Sequence, residues 1–149
     1  LKLGVYGNQI TRTKVMNNYY FLLINPKINL STREVFQQYD ASNSNESNIP
    51  DTLFGNINIH NSLLSSAINL APQILSVLSH LQKSKTITAY GMTGSGSTCF
   101  GIFKNINEII KFLEFFNKQD YPNYFIWYGQ KKNYSMNRIR TSKTLENIV

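Results

Sequence analysis

The feature that most constrains this chain is a glycine-rich segment, residues 92–100, that separates two β-type runs. Residues 86–90 precede it and residues 99–103 follow it, and both runs are rich in β-branched or aromatic side chains. Glycine lets a backbone adopt positive φ and approach a ligand closely, and neighbouring hydroxyl and N–H groups suit an anion such as phosphate. The segment therefore predicts a tight anion-binding loop between two strands. Its candidate binding residues are Gly94, Ser95, Gly96, Ser97 and Thr98.

The loop matches neither of the two commonest nucleotide-binding patterns. A Walker A loop ends in Gly-Lys-Ser or Gly-Lys-Thr, and residues 93–98 contain no lysine. A Rossmann loop needs a third glycine where this chain has Cys99. A small polar turn that binds nothing is the alternative that these residues leave open.

The length and composition indicate one folded domain. A chain of 149 residues, 42% of them hydrophobic, can bury a substantial core. The single cysteine, Cys99, excludes an internal disulfide, and its apolar surroundings in the sequence favour a buried thiol over a nucleophile. No run of about 18 apolar residues suggests a membrane helix, and the first residues lack the apolar region of a signal peptide. We therefore expect a cytoplasmic location and no membrane partner.

The formal net charge of +7 raises the question of nucleic acid as a partner. The chain is rich in Asn, Lys and Ile, as the codons of AT-rich genomes favour, so the charge need not reflect a ligand. Basic residues are dense only after Gly129, and no recognisable nucleic-acid motif accompanies them. The distribution argues against nucleic acid, and a non-catalytic basic binding module stays open as an alternative function.

Hydrophobic spacing predicts an α+β fold, an antiparallel sheet covered by helices. Strands are expected at residues 19–24, 86–90, 99–103 and 124–128, the last ended by Gly129, with a weaker strand at residues 3–10. Helices are expected after Ser31 and after Asn105, which can cap them, and two more from residue 61 and from Pro72. Residues 40–48 read as a polar loop, and residues 130–149 as a basic tail.

A second segment, residues 20–36, makes the chain recognisable. A strand, Asn25-Pro26, a spacer and Ser31-Thr32-x-x-Val35-Phe36 resemble the opening of the C-terminal domain of the 4-diphosphocytidyl-2-C-methyl-D-erythritol kinases. That family belongs to the GHMP small-molecule kinase superfamily, and the glycine-rich loop resembles the third conserved motif of the superfamily. Residues 61–63 stand where the family has Asn-Asp-Leu or Asn-Asp-Cys, with Ser62 in place of the acid. The resemblance covers residues 19–103.

The resemblance implies a GHMP kinase C-terminal domain and names the candidate binding residues. Phe36 would stack on the cytosine ring of the substrate, and Thr32 would contact the same molecule. The residues alone also allow Phe36 as a plain core side chain and Thr32 as a helix-capping hydroxyl. The glycine-rich loop would lie near the phosphates that are transferred, or would only support the ATP loop of another domain.

The resemblance further implies the C-terminal part of a longer kinase. Residues 1–18 would be the end of an N-terminal kinase domain or its connecting strand, and residues 19–129 the substrate-binding domain. The family's ATP loop, its catalytic aspartate in Ser-Asp-Val-Pro and its active-site lysine have no match here. ATP with Mg²⁺ would bind mainly to the N-terminal domain, so we expect no catalytic residue and no metal ligand in this chain, which would be inactive alone.

The expected activity is ATP-dependent phosphorylation of the 2-hydroxyl of 4-diphosphocytidyl-2-C-methyl-D-erythritol in non-mevalonate isoprenoid biosynthesis. The partners would be this small molecule, with its cytidine diphosphate group, and the N-terminal kinase domain. The C-terminal half of another GHMP kinase, of the homoserine or mevalonate type, is the alternative within the superfamily.

Overall fold

A four-stranded antiparallel sheet, with helices packed on one face, dominates the computed structural model. The structure describes residues 2–3, 10–11, 18–42, 51–55, 57–117 and 123–130. Within these residues the helices are α1 (Thr32–Ser42), α2 (Leu64–Leu70), α3 (Gln73–Lys83) and α4 (Ile106–Asn117). The strands are β1 (Lys2–Leu3), β2 (Ile10–Thr11), β3 (Tyr20–Asn25), β4 (Thr52–Phe54), β5 (Ile57–Ile59), β6 (Ala89–Met92), β7 (Cys99–Phe103) and β8 (Phe125–Gln130).

The sheet has the strand order β6-β7-β3-β8, and every neighbouring pair is antiparallel. In its central row Leu23 of β3 lies between Phe100 of β7 and Trp127 of β8. Strands β1 with β2, and β4 with β5, form two separate two-stranded ladders. The predicted α+β fold with an antiparallel sheet is confirmed.

Alternation along the strands divides the sheet into two faces. Leu22 and Ile24 are fully buried in the main core, together with apolar side chains of all four helices. On the opposite face Phe54 and Ile57 of the β4–β5 hairpin pack in a second, smaller core that includes Ile102. The helices and this hairpin hold β6 and β7 from both sides, which fixes the base of the loop between them.

Several element boundaries differ from the sequence-based prediction. The strand before the glycine-rich loop is Ala89–Met92, not residues 86–90, because its partner β7 pairs Met92 with Cys99 at the base of the loop. Strand β8 does not end at Gly129 but continues to Gln130, because β3 still offers Phe21 and Tyr20 as partners.

Helix α1 also runs further than predicted, through Ser42, so the expected polar loop does not begin at residue 40. In place of one weak strand at residues 3–10 there are the short strands β1 and β2. The β4–β5 hairpin had no counterpart in the prediction. Residues 43–48, and residues 131–149 of the predicted basic tail, lie outside the described residues.

The helix starts predicted at Ser31, Pro72 and Asn105 are confirmed, whereas the helix expected from residue 61 begins at Leu64. The hydroxyl oxygen of Ser31 accepts a hydrogen bond from the Glu34 N–H at 3.4 Å, and the side-chain oxygen of Asn105 accepts one from the Glu108 N–H at 3.1 Å. Pro72 stands directly before α3 in helical conformation. Each cap satisfies an N–H group that the first turn of a helix leaves without a partner.

Candidate functional site

The glycine-rich loop, residues 93–98, joins β6 to β7 and is closed by its own backbone. The Thr93 N–H donates to the carbonyl of Thr98 at 2.8 Å, and the Gly96 N–H donates to the carbonyl of Thr93 at 3.0 Å. Gly96 has φ +90°, and a Cβ there would lie 3.1 Å from Met92 Sδ and 3.2 Å from Leu30 Cδ2. Glycine is therefore required at this position for backbone conformation and for space.

The tip of the loop is its accessible part. Gly94 has φ +51°, and a Cβ built there would have no atom within 4 Å. Within the described part of the chain, no hydrogen bond engages the N–H groups of Gly94 and Ser95. The N–H groups of Thr93 and Gly96 already donate to carbonyls within the loop. An anion can therefore bind through the N–H groups of Gly94 and Ser95.

The two segments that the sequence singled out meet at this tip. The hydroxyl groups of Thr32 and Ser95 lie 3.0 Å apart and share a hydrogen bond, although 63 positions separate them in the chain. Thr32 is the first residue of α1, and its side chain is exposed. The start of α1 and the glycine-rich loop therefore form one continuous surface.

Phe36 belongs to the same surface. It follows Thr32 by four positions on α1, which places the two side chains on one side of the helix. Phe36 is 36% exposed, whereas the preceding Val35 is fully buried in the main core. At this turn of α1, Val35 packs into the main core. The side chain of Phe36 is partly accessible on the same side of the helix as Thr32.

Ser97 and Thr98 have a different environment from Ser95. The Ser97 hydroxyl donates to the side-chain oxygen of Asn25 at 3.4 Å, and the Thr98 hydroxyl accepts from the amide of Asn25 at 3.0 Å. Ser97 is only 5% exposed. Of the five predicted loop residues, Gly94 and Ser95 form the open part beside the start of α1, and Gly96 closes the turn of the loop. Ser97 and Thr98 anchor the loop to the end of β3.

Asn61 holds the other side of the loop. Its side-chain amide donates to the carbonyls of Met92 at 2.9 Å and Gly94 at 2.8 Å, and its side-chain oxygen accepts from the Leu63 N–H at 2.9 Å. Sequence reasoning named neither Asn25 nor Asn61 as a site residue. Their signals were the Asn-Pro end of a strand and the Asn-Ser-Leu start of a helix, neither of which indicates a contact with the loop.

Cys99, directly after the loop, is chemically inert. Its side chain is fully buried, and burial raises the pKa of its thiol from 9.0 to about 12. A thiol in that state does not act as a nucleophile near neutral pH, because the thiolate is the reactive form. The expected burial of Cys99 is confirmed.

Two further properties of the described residues bear on their chemistry. These residues contain no group of three or more His, Cys, Asp or Glu side chains placed to hold a metal ion. None of their helices has the length and hydrophobicity that a membrane-spanning segment needs.

Comparison with known families identifies this architecture. Residues 50–122, which include α2, α3, the glycine-rich loop and all of α4, match the family model of the GHMP kinases C terminal. The chain contains a GHMP kinase C-terminal domain. The resemblance that the loop suggested is therefore confirmed at the level of the superfamily.

The curated relatives described here carry the same protein name. The chain is 30% identical over 128 residues to a 4-diphosphocytidyl-2-C-methyl-D-erythritol kinase of Bartonella bacilliformis, covering 80% of this chain and 41% of the relative. It is 35% identical over 97 residues to the kinase of the same name from Ehrlichia canis, covering 60% of this chain and 34% of the relative. The homology is distant, and the chain spans about two fifths of the length of the first relative and about a third of the second.

A solved structure supports the fold. The crystal structure of a 4-(cytidine 5'-diphospho)-2C-methyl-D-erythritol kinase superposes with a TM-score of 0.55 at 16% sequence identity. The match covers 76% of this chain and 43% of that chain. The GHMP domain thus shares its α+β fold with the C-terminal part of that enzyme.

Proposed function

We propose that this chain is the C-terminal, substrate-binding part of an ATP-dependent kinase that phosphorylates the 2-hydroxyl of 4-diphosphocytidyl-2-C-methyl-D-erythritol. The observation that carries the proposal is the hydrogen bond between Thr32 and Ser95, which joins the start of α1 to the glycine-rich loop. A substrate with a base at one end and phosphates next to it needs two such neighbouring surfaces. The names of the curated relatives support this choice of substrate.

In this proposal Phe36 is the platform for the cytosine ring. Phe36 is 36% exposed, and stacking of a base on an aromatic side chain is worth about 1–3 kcal/mol. Thr32, one turn earlier on α1, contacts the substrate while its hydroxyl stays bonded to Ser95. The same bond links the start of α1 to the loop.

The loop tip is the phosphate-facing part of the proposed site. The N–H groups of Gly94 and Ser95 are available, and the space around Gly94 is open. Preorganised N–H donors stabilise the charge that spreads over the phosphoryl oxygens during transfer. The described residues therefore fit a phosphate group.

The described residues do not fit the magnesium ion that kinases of this superfamily use with ATP, because they offer no cluster of ligands. We assign ATP with Mg²⁺, and the catalytic base, to the N-terminal domain that the proposal requires. The present chain then contributes binding and orientation of the substrate, together with the backbone N–H groups of the loop, and none of its side chains is assigned as a catalytic acid, base or nucleophile.

The test is a nuclear magnetic resonance titration of the 149-residue chain. Cytidine 5'-diphosphate should shift the amide signals of Phe36 and Ser95 together, cytidine should shift mainly those of α1, and inorganic phosphate mainly those of the loop. Adenosine 5'-diphosphate is the control, because it has the same two phosphates but a base that the proposal does not place on Phe36. Shifts that are absent from both segments, or equal for the two diphosphates, would contradict the proposal.

A further inference from the structure

We infer that Asn61 is a positioning residue, which aims the Ser95 N–H of the glycine-rich loop at the bound phosphate. The purpose of this positioning rests on the proposed function, whereas the positioning itself rests on the hydrogen bonds of Asn61. Its side chain bonds two carbonyls of the loop from outside, 31 and 33 positions away in the chain.

The argument depends on the planarity of the peptide bond. In a trans peptide the carbonyl and the following N–H point in opposite directions. The bond from Asn61 to the carbonyl of Gly94 therefore directs the N–H of Ser95 away from Asn61, toward the open side of the loop. The bond to the carbonyl of Met92 likewise directs the Thr93 N–H toward Thr98, which it reaches at 2.8 Å.

Asn61 is itself firmly held. Its side-chain oxygen accepts from the Leu63 N–H, and Leu63 and Leu64 at the start of α2 are buried in the main core. Glycine at position 94 gives the loop backbone more freedom than any other residue would. The amide of Asn61 removes that freedom at the peptide that presents the Ser95 N–H, while Asn25 holds the outgoing limb through Ser97 and Thr98.

Two substitutions separate the bonds to the loop from the bond to the helix. Asn61→Asp keeps an oxygen that can accept from Leu63, but it cannot donate to the two carbonyls. Asn61→Ser also keeps a capping oxygen and adds no charge, so a change shared by both variants does not come from the new carboxylate. Asn58→Ser is the matched control, because Asn58 is exposed, bonds to Asp51 rather than to the loop, and gains no charge in this variant.

The experiment measures amide hydrogen exchange and ligand binding in the full 149-residue chain. In both Asn61 variants the amides of Thr93 and Gly96 should exchange at least tenfold faster, while amides of β7 and β3 keep their protection. The dissociation constant for inorganic phosphate should rise at least fivefold, and that for cytidine should stay unchanged. Asn58→Ser should match the unmodified chain in all three measurements.

Three results would overturn the inference. These are unchanged exchange of Thr93 and Gly96, faster exchange throughout α2 and the sheet, or equal weakening of phosphate and cytidine binding, which would indicate a merely structural role. If the unmodified chain does not bind phosphate, the phosphate site of the proposed function is wrong. The exchange rates of Thr93 and Gly96 then still support or overturn the positioning of the loop by Asn61.

Discussion

Replacing Phe36 with alanine distinguishes a cytosine platform from a core side chain. Phe36 is 36% exposed, so about two-thirds of it is buried. Full burial of a phenylalanine side chain is worth about 1.5–3 kcal/mol, and two-thirds of that value is about 1–2 kcal/mol. At roughly 2–4 °C per kcal/mol for a chain of this size, Phe36→Ala should lower Tm by about 2–8 °C.

The matched control is Phe103→Ala. Phe103 is fully buried in the main core, and removing such a ring costs about 3–5 kcal/mol because a cavity remains. The melting temperature of this variant should therefore fall by roughly 6–20 °C. The comparison of the two melting curves shows how much of the Phe36 ring serves stability.

The binding measurement completes the test. In the complete kinase that the proposal implies, Phe36→Ala should raise the dissociation constant for the diphosphocytidyl substrate roughly 5- to 150-fold, the equivalent of about 1–3 kcal/mol of lost stacking. ATP affinity should stay the same, and Phe36→Tyr or Phe36→Trp should retain most of the substrate affinity because a flat ring is sufficient. An alanine variant that melts as early as Phe103→Ala but binds the substrate normally would refute the assignment of Phe36.

Three further predictions follow from the loop and its surroundings. Gly96→Ala, at φ +90° with a Cβ 3.1 Å from Met92 Sδ, should cost roughly 1–3 kcal/mol of stability. Gly94→Ala, at φ +51° in open space, should cost about 1 kcal/mol, and equal melting temperatures for the two variants would contradict this difference. Because the pKa of Cys99 is raised from 9.0 to about 12 in the folded chain, its contribution to stability is present below pH 9 and is lost as the pH rises toward 12. Denaturant titrations of Cys99→Ala should show a flatter decline over that range, and an identical decline would contradict it. The 149-residue chain alone, given ATP, Mg²⁺ and the diphosphocytidyl substrate, should show no turnover above a buffer blank, since its sequence has no match to the family's ATP loop; measurable turnover would contradict the proposed division of roles.

Local sequence signals were sufficient for most of the fold. The caps at Ser31 and Asn105, the strand β3 and the glycine-rich loop depend on neighbouring residues in the sequence, and the structure has them within one residue of the predicted positions. In β3 only Leu22 and Ile24 are buried, because the strand alternates between two faces. The ends of β6 and β8 were misjudged because strand length is set by the partner strand, which lies far away in sequence. The missed β4–β5 hairpin had one local signal, the Gly55-Asn56 pair between two short β-type runs.

The candidate site was also only partly predictable from the sequence. The sequence singled out Thr32, Phe36 and the glycine-rich loop, but only the folded chain shows that Thr32 and Ser95 share a hydrogen bond. The clamps by Asn25 and Asn61 were not predictable, because an asparagine at a strand end or helix start has many local uses. Which loop N–H groups stay available also depends on bonds that form only in the folded loop.

The central claim is the identity of the substrate, and a specificity measurement with the complete kinase tests it most directly. The values of kcat/KM for 4-diphosphocytidyl-2-C-methyl-D-erythritol, homoserine and mevalonate would be compared at fixed ATP and Mg²⁺. We predict transfer of phosphate to the 2-hydroxyl of the diphosphocytidyl substrate, with at least a hundredfold preference over the other two. Phosphorylation of homoserine or mevalonate with equal or greater efficiency would contradict the account and assign the chain to another kinase of the superfamily.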